Sequence, residues 1–316
     1  MSVNTTSTTG LGIGVVQDAY DRLVEFDLRS QPLIRSVADK RPGKQAMPGD
    51  TVTLQIFKDL APATTELVET TDVNAVLVPD TDKVTITIRE FGNVIRNTRK
   101  LRKTALTEVD PAVANIIAYN QADSIDIVAE TTLRGGTNVV RANAGTLSSN
   151  GGTTAAVAAG DTLSADHIRL AVTRLRGRNA MGRRGAMYHA LVHPDVSYDL
   201  RRQTGDQNWR TPHNYVDTQH IYAGEIGEFE GAYFVESPRL FSATDGATSR
   251  RVFRGYIVGK QALAEAVVEE PHVVMSPVTD HLNRFQPIGW YGLLGFAIYR
   301  QNALVRLETS SSITAS

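Results

Sequence analysis

From Asp50 onward the hydrophobic period of the chain becomes two, and it does so twice. Val52, Leu54 and Ile56 alternate with Thr51, Thr53 and Gln55, and Val84, Ile86 and Ile88 alternate with Thr85, Thr87 and Arg89. Alternation of this kind marks strands with one buried face. Between the two runs lies a Pro- and Thr-rich stretch, Asp59 to Asp82, so the pair reads as an extended β-hairpin. A lone hairpin is marginal in water. One this long, with so little apolar mass, needs a partner surface.

The segment before it raises the same demand. Val16, Ala19, Leu23 and Phe26 follow helical spacing and predict one short amphipathic helix, ending near Ser30-Gln31-Pro32 because proline disfavours helix in the residue before it. A single helix cannot bury its own stripe, so residues 1–49 read as an arm that docks on the rest of the chain or on another copy. Acidic and basic residues nearly balance in this arm, which is unlike a polybasic tail that condenses a genome.

Downstream, Asp110-Pro111 suits an N-cap followed by a first helical residue. The helix predicted over 111–134 runs through Val113, Ile116, Ile117, Ile125, Ile127 and Val128 to a stop at Gly135-Gly136. Residues Asn143 to Gly160 have the composition of a surface loop. A capped helix from Ser164 to Arg178 then leads to an apolar strand, Met187 to Val192, a His193-Pro194-Asp195 corner and a short helix to Arg202. Further strands are expected at Gly231–Glu236, Val252–Val258, Ile288–Tyr299 and Ala303–Glu308, and a short helix at Lys260–Val267. Gly289, Gly292 and Gly295 within the third of these point to close backbone approach. At about a dozen residues that run is shorter than the roughly 20 of a membrane helix. With no positive, apolar leader at the N-terminus, a cytosolic protein, or one assembled from cytosol, is expected. No internal repeat is evident, and the fold class is α+β.

Charge and cysteine content remove several function classes. Thirty-three Lys+Arg face thirty-four Asp+Glu, a formal net charge of -1, against a protein whose affinity comes from neutralising many phosphates. The absence of cysteine excludes disulfide frameworks, thiolate metal sites and a cysteine nucleophile.

Catalytic and cofactor motifs are equally sparse. Gly10-Leu11-Gly12-Ile13-Gly14 lacks the preceding strand and the glycine spacing of a phosphate loop. His189 and His193 sit four apart on a predicted strand, about 13 Å, too far for one metal ion; the corner they lead into reads as a helix start with Asp195 in its first turn. No Gly-x-Ser-x-Gly elbow occurs, and Glu225/Glu228 and Glu269/Glu270 read as solvated surface. No catalytic residue, metal site or cofactor is expected. Two basic clusters remain, Arg96/Arg99/Lys100/Arg102/Lys103 and Arg174/Arg176/Arg178/Arg183/Arg184. They are read as contacts between subunits, with weak DNA contact and plain solvation as the alternatives. Trp209, in a polar loop, reads as an interface anchor. The candidate subunit-interface residues are therefore Thr53, Gln55, Phe57, Lys58, Arg89, Arg99, Arg102, Arg176, Arg183 and Trp209.

Several segments carry a family resemblance. They are Leu60-Ala61-Pro62-Ala63-Thr64-Thr65-Glu66-Leu67, Thr85 to Asn93 (TITIREFGN), Val192 to Arg201 (VHPDVSYDLR), Ile221 to Gly227 (IYAGEIG) and Phe234-Val235-Glu236-Ser237. The chain thus resembles the major capsid proteins of tailed bacteriophages, in the fold shared with herpesvirus capsids, and specifically the coliphage N-four type, over Asp50 to Glu308. The resemblance implies an N-terminal arm (1–49) and an extended loop (50–83), both lying on neighbouring subunits, and a peripheral domain (84–163) with its spine helix. It also implies an axial domain (164–275) and return strands with a tail (276–316). It further implies self-assembly into pentamers and hexamers of an icosahedral shell around double-stranded DNA held by weak non-specific contact. The shell would form part of a virion assembled in the host cytoplasm, with scaffold, portal and decoration proteins as partners and no membrane. No charged helical region precedes the arm, so any scaffold is expected to be a separate protein. An encapsulin-like compartment shell, and a hydrolase using His193 and Asp195, are the other readings.

Overall fold

A computed structural model describes residues 29–42, 51–105 (without 68, 71 and 73), 109–143, 146–149, 152–203, 225–275, 277, 280–282 and 284–313. The expected helix at 16–26, the Gly10–Gly14 run and Trp209 lie outside these residues.

Two sheets and a ribbon organise the chain. The larger sheet has the order β6-β5-β14-β11-β7-β9-β8, from strands β5 (Val139–Asn143), β6 (Thr146–Ser149), β7 (Tyr188–Val192), β8 (Glu225–Phe229), β9 (Ala232–Glu236), β11 (Val252–Val258) and β14 (Leu304–Thr309); the short β10 (Ser242–Ala243) pairs with β11. The smaller sheet has the order β1-β12-β13-β4, from β1 (Asp39–Pro42), β4 (Arg89–Thr98), β12 (Leu263–Met275) and β13 (Phe285–Ile298). The ribbon is β2 (Thr51–Ile56) paired antiparallel with β3 (Asp82–Thr87). Four α-helices occur among the described residues: α1 (Arg99–Thr104), α2 (Val109–Arg134), α3 (Ala165–Gly177) and α4 (Pro194–Arg202).

The large sheet is buried on both faces. Ala190, Val192, Phe253, Ile257, Val305 and Leu307 point to the side covered by α3 and α4. Their neighbours Leu191, Tyr256, Val258 and Leu304 point to the other side, where Ala129 and Leu133 of α2 and Ile34 and Val37 close the layer. Burial on both faces is why these strands read as continuous apolar runs rather than alternating ones. The first half of α2 packs Val113 and Ile117 on Ile288 and Trp290 of the smaller sheet, so this one helix ties both sheets together.

Local chemistry places most elements as expected. Ser164 and His167 form a reciprocal capping box at the start of α3. The His193 ring accepts the Asp195 backbone N–H at 3.2 Å and caps α4, with Pro194 at its first position. Helix α2 starts at Val109, ahead of the expected Pro111. The glycines of β13 do sit where backbones touch: a methyl on Gly289, Gly292 or Gly295 would collide with Asn93, Pro271 or Thr87.

Four expectations are corrected. Lys260–Val267 is not a short helix; Leu263 begins the 13-residue strand β12, whose Leu263, Ala264, Glu265 and Ala266 are all buried, so no alternation shows. Within Asn143–Gly160, Thr146–Ser149 form the edge strand β6 and Val157 is fully buried. The arm, over its described part 29–42, packs on this chain's own body: Ile34 and Val37 enter the core and β1 pairs parallel with β12. The segment boundaries at 163 and 275 do not divide the sheets, because β5, β6 and β14 share the sheet of β7, β9 and β11, whereas β12 belongs to the smaller one.

Candidate functional site

The ribbon begins anchored and ends bare. Ile86 is fully buried against Ala264 and Ala266, with Val52, Leu54 and Tyr299 beside it. Past Ile56 the chain leaves the ladder, and Phe57, Leu60, Leu67, Val76, Leu77 and Val78 are all exposed, Leu77 by 90%. Exposed apolar residues are ordinary when scattered; a contiguous set on a projecting element marks an interaction surface. The outer face of the ladder, including Thr53 and Gln55, is exposed as well.

Each of the other expected interface residues, apart from the undescribed Trp209, has a definite place. Lys58 Nζ lies 2.8 Å from Asp82 Oδ1 across the mouth of the ribbon. Arg89 lines a cavity of about 460 Å³ beneath the ribbon base, with Thr85, Thr87, Phe91, Val128 and Phe296. Arg99 and Arg102 lie on α1, which starts where the Thr98 hydroxyl accepts the Leu101 N–H. Arg176, in the last turn of α3, lies with its guanidinium against Gly231. Arg183 is committed inside its own chain: it donates to the Ser36 carbonyl at 3.0 Å and sits 3.5 Å from Asp39. The two basic clusters thus differ in part: Arg174 and Arg183 donate to carbonyls of the body, Arg176 and Arg184 are exposed, and Arg99, Lys100 and Lys103 of α1 all face outward.

Buried polar groups of the body pair with one another. Glu308, fully buried, is met by Arg141 at 2.7 Å, Arg306 at 2.9 Å and the Thr154 hydroxyl at 2.8 Å. Buried Glu265 takes Arg35 at 2.6 Å, and Tyr256 donates to Glu130 at 2.6 Å. Burial lowers the pKa of His167 and His193, and burial together with the nearby Arg183 guanidinium holds His189 down at about 4. His193 stacks on Phe253 at 4.7 Å between ring centres and His189 sits edge-on to Tyr233 at 5.5 Å. Their roles are packing and capping. Among the described residues no group of three or more His, Cys, Asp or Glu is placed to hold a metal ion, and no helix is long and apolar enough to cross a membrane.

Sequence reasoning missed part of this surface. It singled out Phe57 and Lys58 but passed over Leu60, Leu67 and Val76–Val78, whose signal was apolar side chains set among carboxylates with no strand periodicity. It also missed Leu282 and Phe285, exposed beside α1.

Comparison with known proteins supplies the context. A family model described as "Phage capsid protein" matches residues 27–306. No curated protein sequence matches the chain. Among solved structures, the capsid of Ralstonia phage GP4 superposes with a TM-score of 0.72 at 13% identity, covering 99% of this chain and 100% of that one. The capsid of cyanophage P-SCSP1u gives 0.73 at 14% identity, covering 94% of each chain. The head of Helicobacter pylori bacteriophage KHP40 gives 0.72 at 13% identity, covering 97% of this chain and 99% of that one.

Proposed function

The chain belongs to the phage capsid protein family, and on that premise we propose that it is the major shell subunit of a tailed phage. Copies assemble into pentamers and hexamers that close an icosahedral shell around double-stranded DNA in the host cytoplasm. The reading gives the chain no catalytic step and no cofactor. It assigns 50–83 to an extended loop laid on the adjacent subunit, α2 to the spine of the peripheral part, and the remainder of the 1–49 arm to contacts with other copies. Scaffold, portal and decoration proteins are its further partners.

One observation carries this reading: Phe57, Leu60, Leu67, Val76, Leu77 and Val78 are exposed on a ribbon whose buried contacts lie at its base. Such a segment gains order by being covered, so folding and association energies overlap. A net charge of -1 also suits a wall that must let packed duplex rearrange.

Expression of the full chain followed by negative-stain microscopy tests it. Closed shells, alone or with the phage's own assembly factors, are expected. A monodisperse monomer or dimer under all those conditions overturns the proposal. Particles from infected cells that hold a packaged enzyme instead of DNA would assign the shell to a protein compartment.

A further inference from the structure

Two stretches of this nearly neutral chain have strongly opposed charge. From Asp59 to Asp82 there are six carboxylates (Asp59, Glu66, Glu69, Asp72, Asp80 and Asp82) and no lysine or arginine. Of these, Asp82 is met by Lys58 at 2.8 Å. From Arg96 to Thr104 there are five cations (Arg96, Arg99, Lys100, Arg102 and Lys103) and no carboxylate. The first stretch is the outer part of the ribbon, and the second is the end of β4 together with α1.

The two also match in their apolar content. Leu67 and Leu77 stand exposed among the ribbon carboxylates, by 75% and 90%. On the other side Leu101 is exposed on α1, and Leu282 and Phe285 are exposed next to it. That neighbourhood is fixed by the Arg99 N–H donating to the Arg284 carbonyl at 2.7 Å and by Phe285 pairing with Thr98. The one carboxylate described there, Asp280, is already paired with Arg284 at 2.8 Å.

Within one chain the two surfaces do not cover each other, since both are exposed. Strand β4 spans ten residues from the ribbon base to α1, about 30 Å at strand rise. From Phe57 to Glu69 the extended chain reaches at most ~45 Å past β2, enough to cross to a neighbouring molecule.

We propose that the acidic ribbon tip of one copy docks on the basic α1 surface of an adjacent copy, carboxylates against Arg99, Lys100 and Lys103 and ribbon leucines against Leu101 and Leu282. This rests on the shell reading above and names the mate of the ribbon within it. DNA is the competing occupant of α1. The ribbon is favoured because the α1 surface interleaves exposed apolar side chains with its cations, which a phosphate backbone does not match, and because the chain carries a stretch of opposite sign and like apolar content. Oppositely charged patches of this kind set register and orientation between partners. Exposed pairs are screened over about 8 Å at physiological salt, so the contact weakens as salt rises.

The chain's lack of cysteine allows a direct test. Full-length protein carrying both Glu69→Cys and Lys100→Cys is assembled, treated with a short bis-maleimide and run on a denaturing gel. A ladder of covalent oligomers is expected from the double variant, and none from either single variant. Assembled particles that give only uncrosslinked or internally crosslinked monomer overturn the proposal while leaving the shell reading intact; failure of the unsubstituted chain to form particles overturns both. A second arm avoids reliance on cysteine chemistry. Glu66→Lys with Glu69→Lys, or Arg99→Glu with Lys100→Glu, should each cut particle yield at least about tenfold, and all four together should restore most of it. If the α1 reversal leaves particle yield unchanged and lowers only the DNA retained, α1 is a DNA contact and the proposal is wrong.

Discussion

The eight-stranded sheet and the two-stranded ribbon are both written in short apolar strands, yet they end in opposite states. In the sheet, successive residues of β7 are buried on alternate sides, Ala190 and Val192 under α3 and α4, Leu191 under Ile34, Val37 and α2. Among the described residues of the ribbon only Ile86 is fully buried, Val52, Leu54 and Ile56 are half-buried, and Phe57, Leu60, Leu67, Val76, Leu77 and Val78 beyond them are exposed. The sheet has a layer on each face and the ribbon has one patch at its base. Order in the body therefore comes from its own interior, whereas order at the ribbon tip comes from whatever covers it. Damage to the first should appear as lost stability of the single chain, and damage to the second as lost assembly.

The largest effect tests the body side of that contrast. Glu308→Ala removes the buried carboxylate shared by Arg141 and Arg306, which lie 2.7 and 2.9 Å from it. Breaking a buried ion pair from one side costs about 3–5 kcal/mol, so thermal unfolding of the unassembled chain should fall by roughly 5–8 °C. A change within about 2 °C would mean that the body does not depend on its interior as described.

A pH titration sharpens the same point. His189 is held at about 4 in the folded chain, by burial first and by Arg183 second, whereas an unfolded histidine titrates near 6.5. Its folded value is depressed, so its contribution is complete above pH 6.5 and is lost as pH falls toward 4. Over that window the loss is about 3 kcal/mol. His189→Phe should flatten the decline of stability between pH 6.5 and 4 when unfolding of both proteins is followed by denaturant titration. Parallel curves would show that the ring is not shielded from water.

Next in size is the joint between the regions. Ile86→Ala empties the ribbon's single buried anchor over Ala264 and Ala266, a change that typically costs about 2–4 kcal/mol. Amide exchange along Thr51–Ile56 and Asp82–Thr87 should rise toward that of an open loop, while β7 and β11 keep their protection. Equal loosening of β7 would mean that ribbon and body open as one unit, and the contrast would fail.

Legibility in the sequence followed the same division. Elements with a local signature were readable: the alternation of the ribbon, the Ser164 cap, and the His-Pro-Asp corner whose ring and proline start α4. Elements set by distant partners were not. Lys260–Val267 is rich in alanine, leucine and glutamate, all good helix formers, but strand pairing with β1 and β13 overrides that preference, and Arg35 neutralises Glu265 inside the sheet. Residues 29–42 read as arm because Leu33, Ile34, Val37 and Ala38 are few and show no strand or long-helix period; that Ile34 and Val37 plug the core beside Leu133 and Leu263 depends on contacts far away in sequence. The proposed interface surface was half legible for the same reason. The cations of α1 form a visible cluster, whereas the ribbon's leucines have no periodicity and acquire meaning only once their exposure is known.

The smallest effect on the single chain belongs to the tip. Leu77 is already 90% exposed, so Leu77→Ser removes almost no buried area, and its effect on unfolding of the unassembled chain should stay within about 0.5 kcal/mol. Covered in a shell, the same leucine would contribute roughly 1.5–3 kcal/mol at each copy. Repetition across many contacts turns that into a clear rise in the protein concentration needed for particles to form, measured by light scattering. The two readouts have to diverge. A loss of chain stability close to that of Ile86→Ala would show that the tip has an interior of its own, and unchanged assembly would show that nothing in the shell covers it.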